Sequence, residues 1–190
     1  MPPLPASSRR RFPDAEPLLS HCFDTPLGPM EVIAGPLGVS LLEFTDTRLQ
    51  RERDDLCRLM STDILPGQNE GTRQAEHEIT EYFQGIRRVF SVPLFTPGTP
   101  FQQGVWAVLR DIPYGQTISY QHEARILSNP RAIRAVAAAN GANRVSIIIP
   151  CHRVIGKNGT LVGYGGGLSR KQQLLAHEQE WEQPSLWVSG

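Results

Sequence analysis

The chain has 190 residues, 39% of them apolar and 7% aromatic, with 19 basic and 19 acidic side chains and a formal net charge of zero. That composition fits a globular protein with chain enough for one medium domain or two small ones, and no apolar run is long enough to cross a membrane. Three cysteines, Cys22, Cys57 and Cys151, are odd in number and widely spaced, which excludes a disulfide framework and points to a reducing, intracellular setting.

The neutral total hides a division. Residues 1–97 hold 10 basic and 14 acidic side chains, whereas residues 98–190 hold 9 and 5. Between Glu123 and Glu178 there is no acid, yet Arg125, Arg131, Arg134, Arg144, Arg153, Lys157, Arg170 and Lys171 all lie there. A phosphate-facing surface needs such local bias, because charge acts over about one Debye length of ~8–10 Å. A solvated basic face without a partner has the same composition.

In chain order, residues 1–17 carry five prolines and the run Arg9-Arg10-Arg11 with no apolar stretch behind it, so they read as a flexible tail rather than a secretory signal. Residues 18–92 form an α+β unit. His21 to Thr25 and Met30 to Ala34 read as a hairpin across Pro26-Leu27-Gly28-Pro29, and Val39 to Phe44 as a third strand. Polar helices follow near Leu49–Met60 and Thr72–Gln84, the second stopped by Gly85. The breakers of 93–99 read as a linker.

From residue 100 to 180 the pattern becomes mainly helical. Thr99 caps a helix opened by Pro100, with Phe101, Val105, Val108 and Leu109 as its apolar stripe. Ser119 caps a second helix to about Leu127, and Asn129 caps a third, opened by Pro130 and closed by Gly141. Two short helices so closely joined have the shape of a helix-turn-helix. The third is thin, with Ala132, Ala135, Ala137, Ala138 and Ala139. A thin helix presses its backbone into a nucleic-acid groove or against another helix, and composition serves both. The β-branched run Val145-Ser146-Ile147-Ile148-Ile149 reads as a buried strand stopped by Pro150. The glycine loop 163–167 admits close backbone approach. Ser169 caps a last helix to about Glu180 with Leu174 and Leu175 inward, leaving 181–190 as a tail.

Cys151 has His152 and Arg153 beside it, and a cysteine becomes nucleophilic when a base or positive charge favours its thiolate. A cysteine at a strand end also serves as a small apolar packing residue. Cys22, Cys57, His21 and His77 lack paired-ligand spacing, so no metal site is expected.

The run Ile149-Pro150-Cys151-His152-Arg153-Val154 resembles the active-site signature of the O6-alkylguanine-DNA alkyltransferases. Pro100-Phe101-Gln102, Ile112-Pro113-Tyr114-Gly115, Ile118-Ser119-Tyr120, Arg134-Ala135-Val136, Asn143, Tyr164, Gly166-Gly167-Leu168 and Leu174-Leu175-Ala176-His177-Glu178 follow that family's order and spacing, and Thr25-Pro26-Leu27-Gly28 recurs in it too. The resemblance implies a ribonuclease-H-like N-terminal domain followed by a mainly helical domain whose helix-turn-helix enters the minor groove of duplex DNA. It implies a monomer that spends Cys151 once on O6-alkylguanine, with O4-alkylthymine a further candidate, and needs no cofactor. It would act in the cytoplasm, or in the nucleus of a eukaryotic host. Arg134 resembles the finger that fills the space of an extruded nucleotide, with Arg131 and Ala135 also against DNA. Tyr120 resembles the residue that helps rotate the nucleotide out and protonates the departing guanine. His152, through a water and paired with Glu178, resembles the base for Cys151, and Asn143 orders the turn. Tyr164, Gly165, Gly166 and Val154 resemble the pocket walls. Ala137, Arg144, Gly165 and Gln172-Gln173 depart from residues common in the family.

A lesion binder of the same family lacks the cysteine, a helix-turn-helix transcription factor has no use for it, and a cysteine hydrolase needs an oxyanion hole.

Overall fold

The computed structural model describes residues 16–182; most of the expected N-terminal tail and the C-terminal tail beyond residue 182 lie outside the described residues. A four-stranded sheet comes first, ordered β3-β2-β1-β4, from β1 (Leu18–Phe23), β2 (Met30–Gly35), β3 (Gly38–Phe44) and β4 (Ile64–Pro66). β1, β2 and β3 form an antiparallel meander, and β4 runs parallel to β1. β1 begins earlier than the expected His21, because Leu18 pairs with Ile64 of β4, a strand too short for its pattern to show in the sequence.

Helix α1 (Leu49–Met60) covers one face of the sheet and α2 (Glu70–Phe83) the other. The period of two along a strand sends alternate side chains to opposite faces. Ile33 of β2 joins Leu18, Leu41 and Leu56 beneath α1, while Met30, Val32 and Ala34 join the main core. Asn69 caps α2 by accepting from the Thr72 amide at 2.9 Å.

The main core continues without a break from the sheet through Tyr82 into the C-terminal helices, reaching Val105, Trp106, Val136, Ile149 and Leu174. These helices are α3 (Pro100–Arg110), α4 (Tyr120–Ile126), α5 (Ile133–Gly141) and α6 (Leu168–Glu182). Two-residue strands β5 (Ile118–Ser119) and β6 (Val154–Ile155) pair in parallel beside them. Thr99 caps α3 as expected, through the Gln102 amide at 3.2 Å. The buried stripe of α3 is Val105, Trp106 and Leu109 rather than one running through Phe101 and Val108, and Trp106 Nε1 donates to Ala139 O at 2.9 Å.

Three expectations are corrected. Ser169 does not cap the last helix, which already begins at Leu168. Asn129 does not cap the third helix. Ser128 takes a left-handed conformation at φ 55°, and the Ala132 amide bonds Asn129 O at 2.9 Å, closing a turn with Pro130 at its second position. α5 therefore starts at Ile133. Nor is Val145–Ile149 a strand: Ile147 sits at φ 71° and the Ile149 amide turns back to Val145 O at 3.0 Å. The β-branched run reflects burial, since Val145, Ile147, Ile148 and Ile149 are all in the core.

The segment 93–99 lacks helix and has only an isolated bridge at Leu94, yet it is not loose. β3 binds it edge-on, with the Val39 amide donating to Pro93 O at 2.8 Å and the Phe95 amide to Val39 O at 2.9 Å. Further along the same edge, the Leu42 amide donates to Arg144 O and the Ser146 amide to Leu42 O, both at 2.8 Å. One strand edge thus fixes the start of the helical part and the turn that leads to Cys151.

The α3–α5 contact depends on Ala139, which is buried beneath Trp106. Ala139→Leu overpacks it and is expected to lower stability by about 1–3 kcal/mol, read from urea unfolding.

Candidate active site

Cys151 opens a short 3-10 turn, Cys151–Arg153, directly after Pro150. It is 8% exposed. Asn143 holds this turn from the far side of the Ile147 bend. Its Nδ2 donates to Ile149 O at 2.9 Å and to Cys151 Sγ at 3.3 Å, and its Oδ1 accepts from the Val145 amide at 3.0 Å.

Burial pushes the Cys151 thiol up to about 11; the Asn143 bond opposes this, the Glu43 carboxyl adds to it, and Lys171 and Arg48 work against it. Glu43, at the end of β3, accepts from Ser146 Oγ at 3.0 Å and from the Phe44 amide at 3.0 Å. Burial, with Glu52 nearby, raises its carboxyl to about 7. Lys171 is buried on α6 and donates to Val154 O, Val162 O and Gly163 O at 2.6, 2.7 and 3.2 Å. Its burial lowers it to about 8, with Cys151 pulling the other way.

His152 does not point at the sulfur. Its Nε2 meets Glu178 Oε1 at 2.9 Å, and its buried Nδ1 has no bond to any described residue. Glu178 is fully buried and receives four other bonds: from Tyr82 Oη at 2.9 Å, the Gly115 amide at 3.0 Å, and Arg153 Nε and Nη2 at 2.9 Å each. Burial alone would raise its carboxyl, but the bond from His152 and the bonds and charge of Arg153 hold it far below the usual carboxylate range. An ionised Glu178 makes Nε2 the proton-bearing nitrogen, which leaves the Nδ1 lone pair to accept. Burial lowers the His152 pKa as well, so the ring is neutral near pH 7.

A cleft of about 480 Å³ opens onto Cys151, lined by Arg48, Tyr120, Ile133, Arg134, Ala137, Tyr164 and Gly165 among others. Tyr120 is half-buried, its Oη reaches Val162 O at 3.4 Å, and burial, then Cys151, pushes its phenol up to about 12. Tyr164 stands edge-on to the His152 ring at 6.3 Å. Gly165 lies half-buried beside Arg48, and Gly166 is buried against Phe44. Val154, buried, contributes its carbonyl to Lys171 rather than a wall to the cleft. Arg134 and Ala135 are exposed near the start of α5, and Arg131 is exposed in the turn before it.

The small residues of α5 face outward: Ala135, Ala137 and Ala138 are exposed, while Val136 and Ala139 are buried. The acid-free basic stretch divides. Arg125, Arg131, Arg134 and Lys157 are exposed, whereas Arg153 and Lys171 are buried and bonded within the fold. No group of three or more metal-ligating side chains exists among the described residues.

The sequence reading missed Lys171, Arg48, Glu43, Tyr82 and the Gly115 amide. Lys171, Leu174, Leu175 and Glu178 follow an i, i+3, i+4, i+7 spacing, which marks one inward helix face and carries Lys171 with it. Nothing local marks Tyr82 or Glu43, which arrive from far along the chain.

The fold and site define an α+β protein that sets one buried cysteine at the base of a cleft edged by exposed arginine. The family model "6-O-methylguanine DNA methyltransferase, DNA binding domain" matches residues 100–180. A methylated-DNA–protein-cysteine methyltransferase of Shigella flexneri is 42% identical over 166 residues, covering 85% of this chain and 95% of the relative. The inducible enzyme of that name from Bacillus subtilis is 55% identical over 102 residues, covering 54% and 57%. Among solved structures, Mycobacterium tuberculosis OGT in complex with DNA superposes with a TM-score of 0.74 at 36% identity, covering 88% of this chain and 96% of that one. This chain belongs to the methylated-DNA–protein-cysteine methyltransferase family.

Two titrations test the site. A carboxyl with a raised folded pKa contributes most at low pH and loses that contribution as pH climbs through the folded value. Wild-type stability is therefore expected to fall between about pH 4.5 and 7 through Glu43, a loss absent in Glu43→Gln when urea unfolding is followed across that range. The same variant is expected to lower the Cys151 pKa, read as faster carboxamidomethylation at alkaline pH. Glu178 has the opposite sign: its contribution is complete above its unfolded pKa of about 4.3 and is lost below it. Glu178→Gln leaves Arg153 without its carboxylate and is expected to destabilise by about 3–5 kcal/mol at pH 7, with a flatter loss of stability in acid.

Proposed function

We propose that this protein repairs duplex DNA by moving the alkyl group of O6-alkylguanine onto Cys151, once per molecule. The observation that carries the reading is the cleft in which Cys151, Tyr120, Arg134 and the 163–165 backbone meet. The S–C bond forms as the C–O6 bond breaks, and guanine leaves neutral. The thiol proton passes by way of a water to Nδ1 of His152, whose other nitrogen is fixed by Glu178. Tyr120 gives its phenol proton to the departing guanine and regains one from solvent as His152 releases the thiol's proton. The thioether is stable and no group in the site reverses it.

DNA binding follows from the exposed side of α5. α4 and α5 act as a helix-turn-helix, with the outward alanines of α5 allowing its backbone deep into the minor groove. Arg131 and Ala135 sit against the duplex, and Arg134 enters the base stack. Extruding the nucleotide costs a few kcal/mol, which such a finger offsets by filling the space left behind. Residues 18–92 are a ribonuclease-H-like domain, a reading supported by the antiparallel meander with a fourth strand parallel to the first. Residues 93–99 join it to the alkyltransferase domain, 100–180. One cysteine serves one lesion, so the protein acts as a monomer.

Incubation with a duplex carrying one O6-methylguanine is expected to add one methyl group to Cys151, read by intact mass and peptide mapping, with no second turnover. An unchanged mass with tight lesion binding would mean a lesion binder instead. Arg134→Ala is expected to slow transfer by about tenfold or more, since the cost of extrusion then goes uncompensated.

A further inference from the structure

We infer that Arg170 is a positioning residue for the base pocket, locking the 163–167 loop to the hairpin turn Thr25–Gly28 of the N-terminal sheet. The inference rests on reading Cys151 as the alkyl acceptor. Arg170 lies on α6 next to Lys171, and its guanidinium spans three segments. Nε donates to Leu27 O at 2.9 Å, Nη1 to Gly166 O at 3.2 Å, and Nη2 to Asp46 Oδ2 at 2.8 Å. Its central carbon stands 4.2 Å from the centre of the Phe44 ring. Gly166 rests on the same ring, since a Cβ there would fall 3.1 Å from Phe44 Cδ2. Arg170 and the pocket loop therefore share one aromatic support, supplied by the end of β3.

Arg170 reaches the Thr25-Pro26-Leu27-Gly28 turn at its Leu27 carbonyl. The turn is built rigidly: Thr25 Oγ1 donates to Gly28 O at 2.6 Å, and the Gly28 amide donates to Thr25 O at 3.0 Å. Gly28 sits at φ +113°, and a Cβ on it would lie 3.0 Å from Arg170 Nη2. The turn thus presents the Leu27 carbonyl and leaves space for the guanidinium beside it.

Two neighbouring cations of α6 grip the loop at both ends. Lys171 holds the Val162 and Gly163 carbonyls, and Arg170 holds Gly166. Tyr164 and Gly165, which line the cleft with Cys151, are suspended between them. A planar fork spreads separate donors over three segments while lying flat on the Phe44 ring, which the compact ammonium of a lysine at position 170 cannot do. The pocket wall needs that constraint, because a reacting geometry displaced by about 1 Å can cost roughly a hundredfold in rate.

The test uses the full chain and a duplex with one O6-methylguanine, with transfer followed in a single turnover at saturating DNA. Unmodified-duplex affinity and thermal unfolding are measured in parallel. Wild-type transfer to Cys151 is the control for the underlying reading; without it, that reading fails before the inference is reached. Arg170→Met and Arg170→Lys are both expected to slow transfer by about tenfold or more while duplex affinity stays within about twofold. Gly28→Ala, which keeps every functional side chain, is expected to slow transfer in the same way and serves where an Arg170 variant does not fold. Asp46→Asn removes an exposed ion pair and is expected to change transfer by no more than about twofold. Transfer at the wild-type rate in Gly28→Ala or Arg170→Met, or full rescue by Arg170→Lys, would overturn the inference.

Discussion

The buried carboxylate of Glu178 is the constraint on which the site depends. A lone ionised carboxylate in an apolar interior is prohibitively unfavourable, so its surroundings must converge on it. They come from separate parts of the chain: Tyr82 from α2, the Gly115 amide from the turn after α3, and His152 and Arg153 from the reactive turn. Satisfying one charge therefore assembles several elements around the cysteine. It also selects the proton-bearing nitrogen of His152, so that structural need and chemical need are met by the same bonds.

The cysteine itself is not activated in the resting fold. Burial outweighs its neighbouring cations, and the thiol stays protonated near neutral pH. Lys171, held by three carbonyls, compensates a thiolate more than Arg48 does. This arrangement suits a protein that reacts once. A standing thiolate would be open to any electrophile or oxidant in solution, whereas a buried thiol is spared until a nucleotide fills the cleft.

Much of this was legible in the sequence, and for identifiable reasons. Helices with strong caps were visible: Thr99 and Ser119 each accept from the backbone amide three residues on, as their types suggest. The cysteine signature and Glu178 were visible through the family resemblance, whose motifs are concentrated in the C-terminal half. The Val145–Ile149 bend was not, because β-branched composition records burial and extension alike. Asn129 misled because Pro130 also suits the second position of a turn. Glu43, Phe44 and Arg48 were invisible as site residues: the fold of the N-terminal sheet brings Arg48 to the cleft and buries Glu43 and Phe44 behind it, and nothing beside them in the sequence hints at it.

The edge of β3 has a consequence for solubility. An open strand edge invites pairing with another chain, and this sheet has two. The β4 edge is only three residues long and ends in Pro66, so it offers little to a partner. The β3 edge is longer and mostly apolar, and it is sealed by the protein's own Pro93–Phe95 and Arg144–Ser146 segments. The stretch that joins the two halves is therefore also a guard: a chain nicked or loosened there would expose a sticky strand and cross over from folding to aggregation.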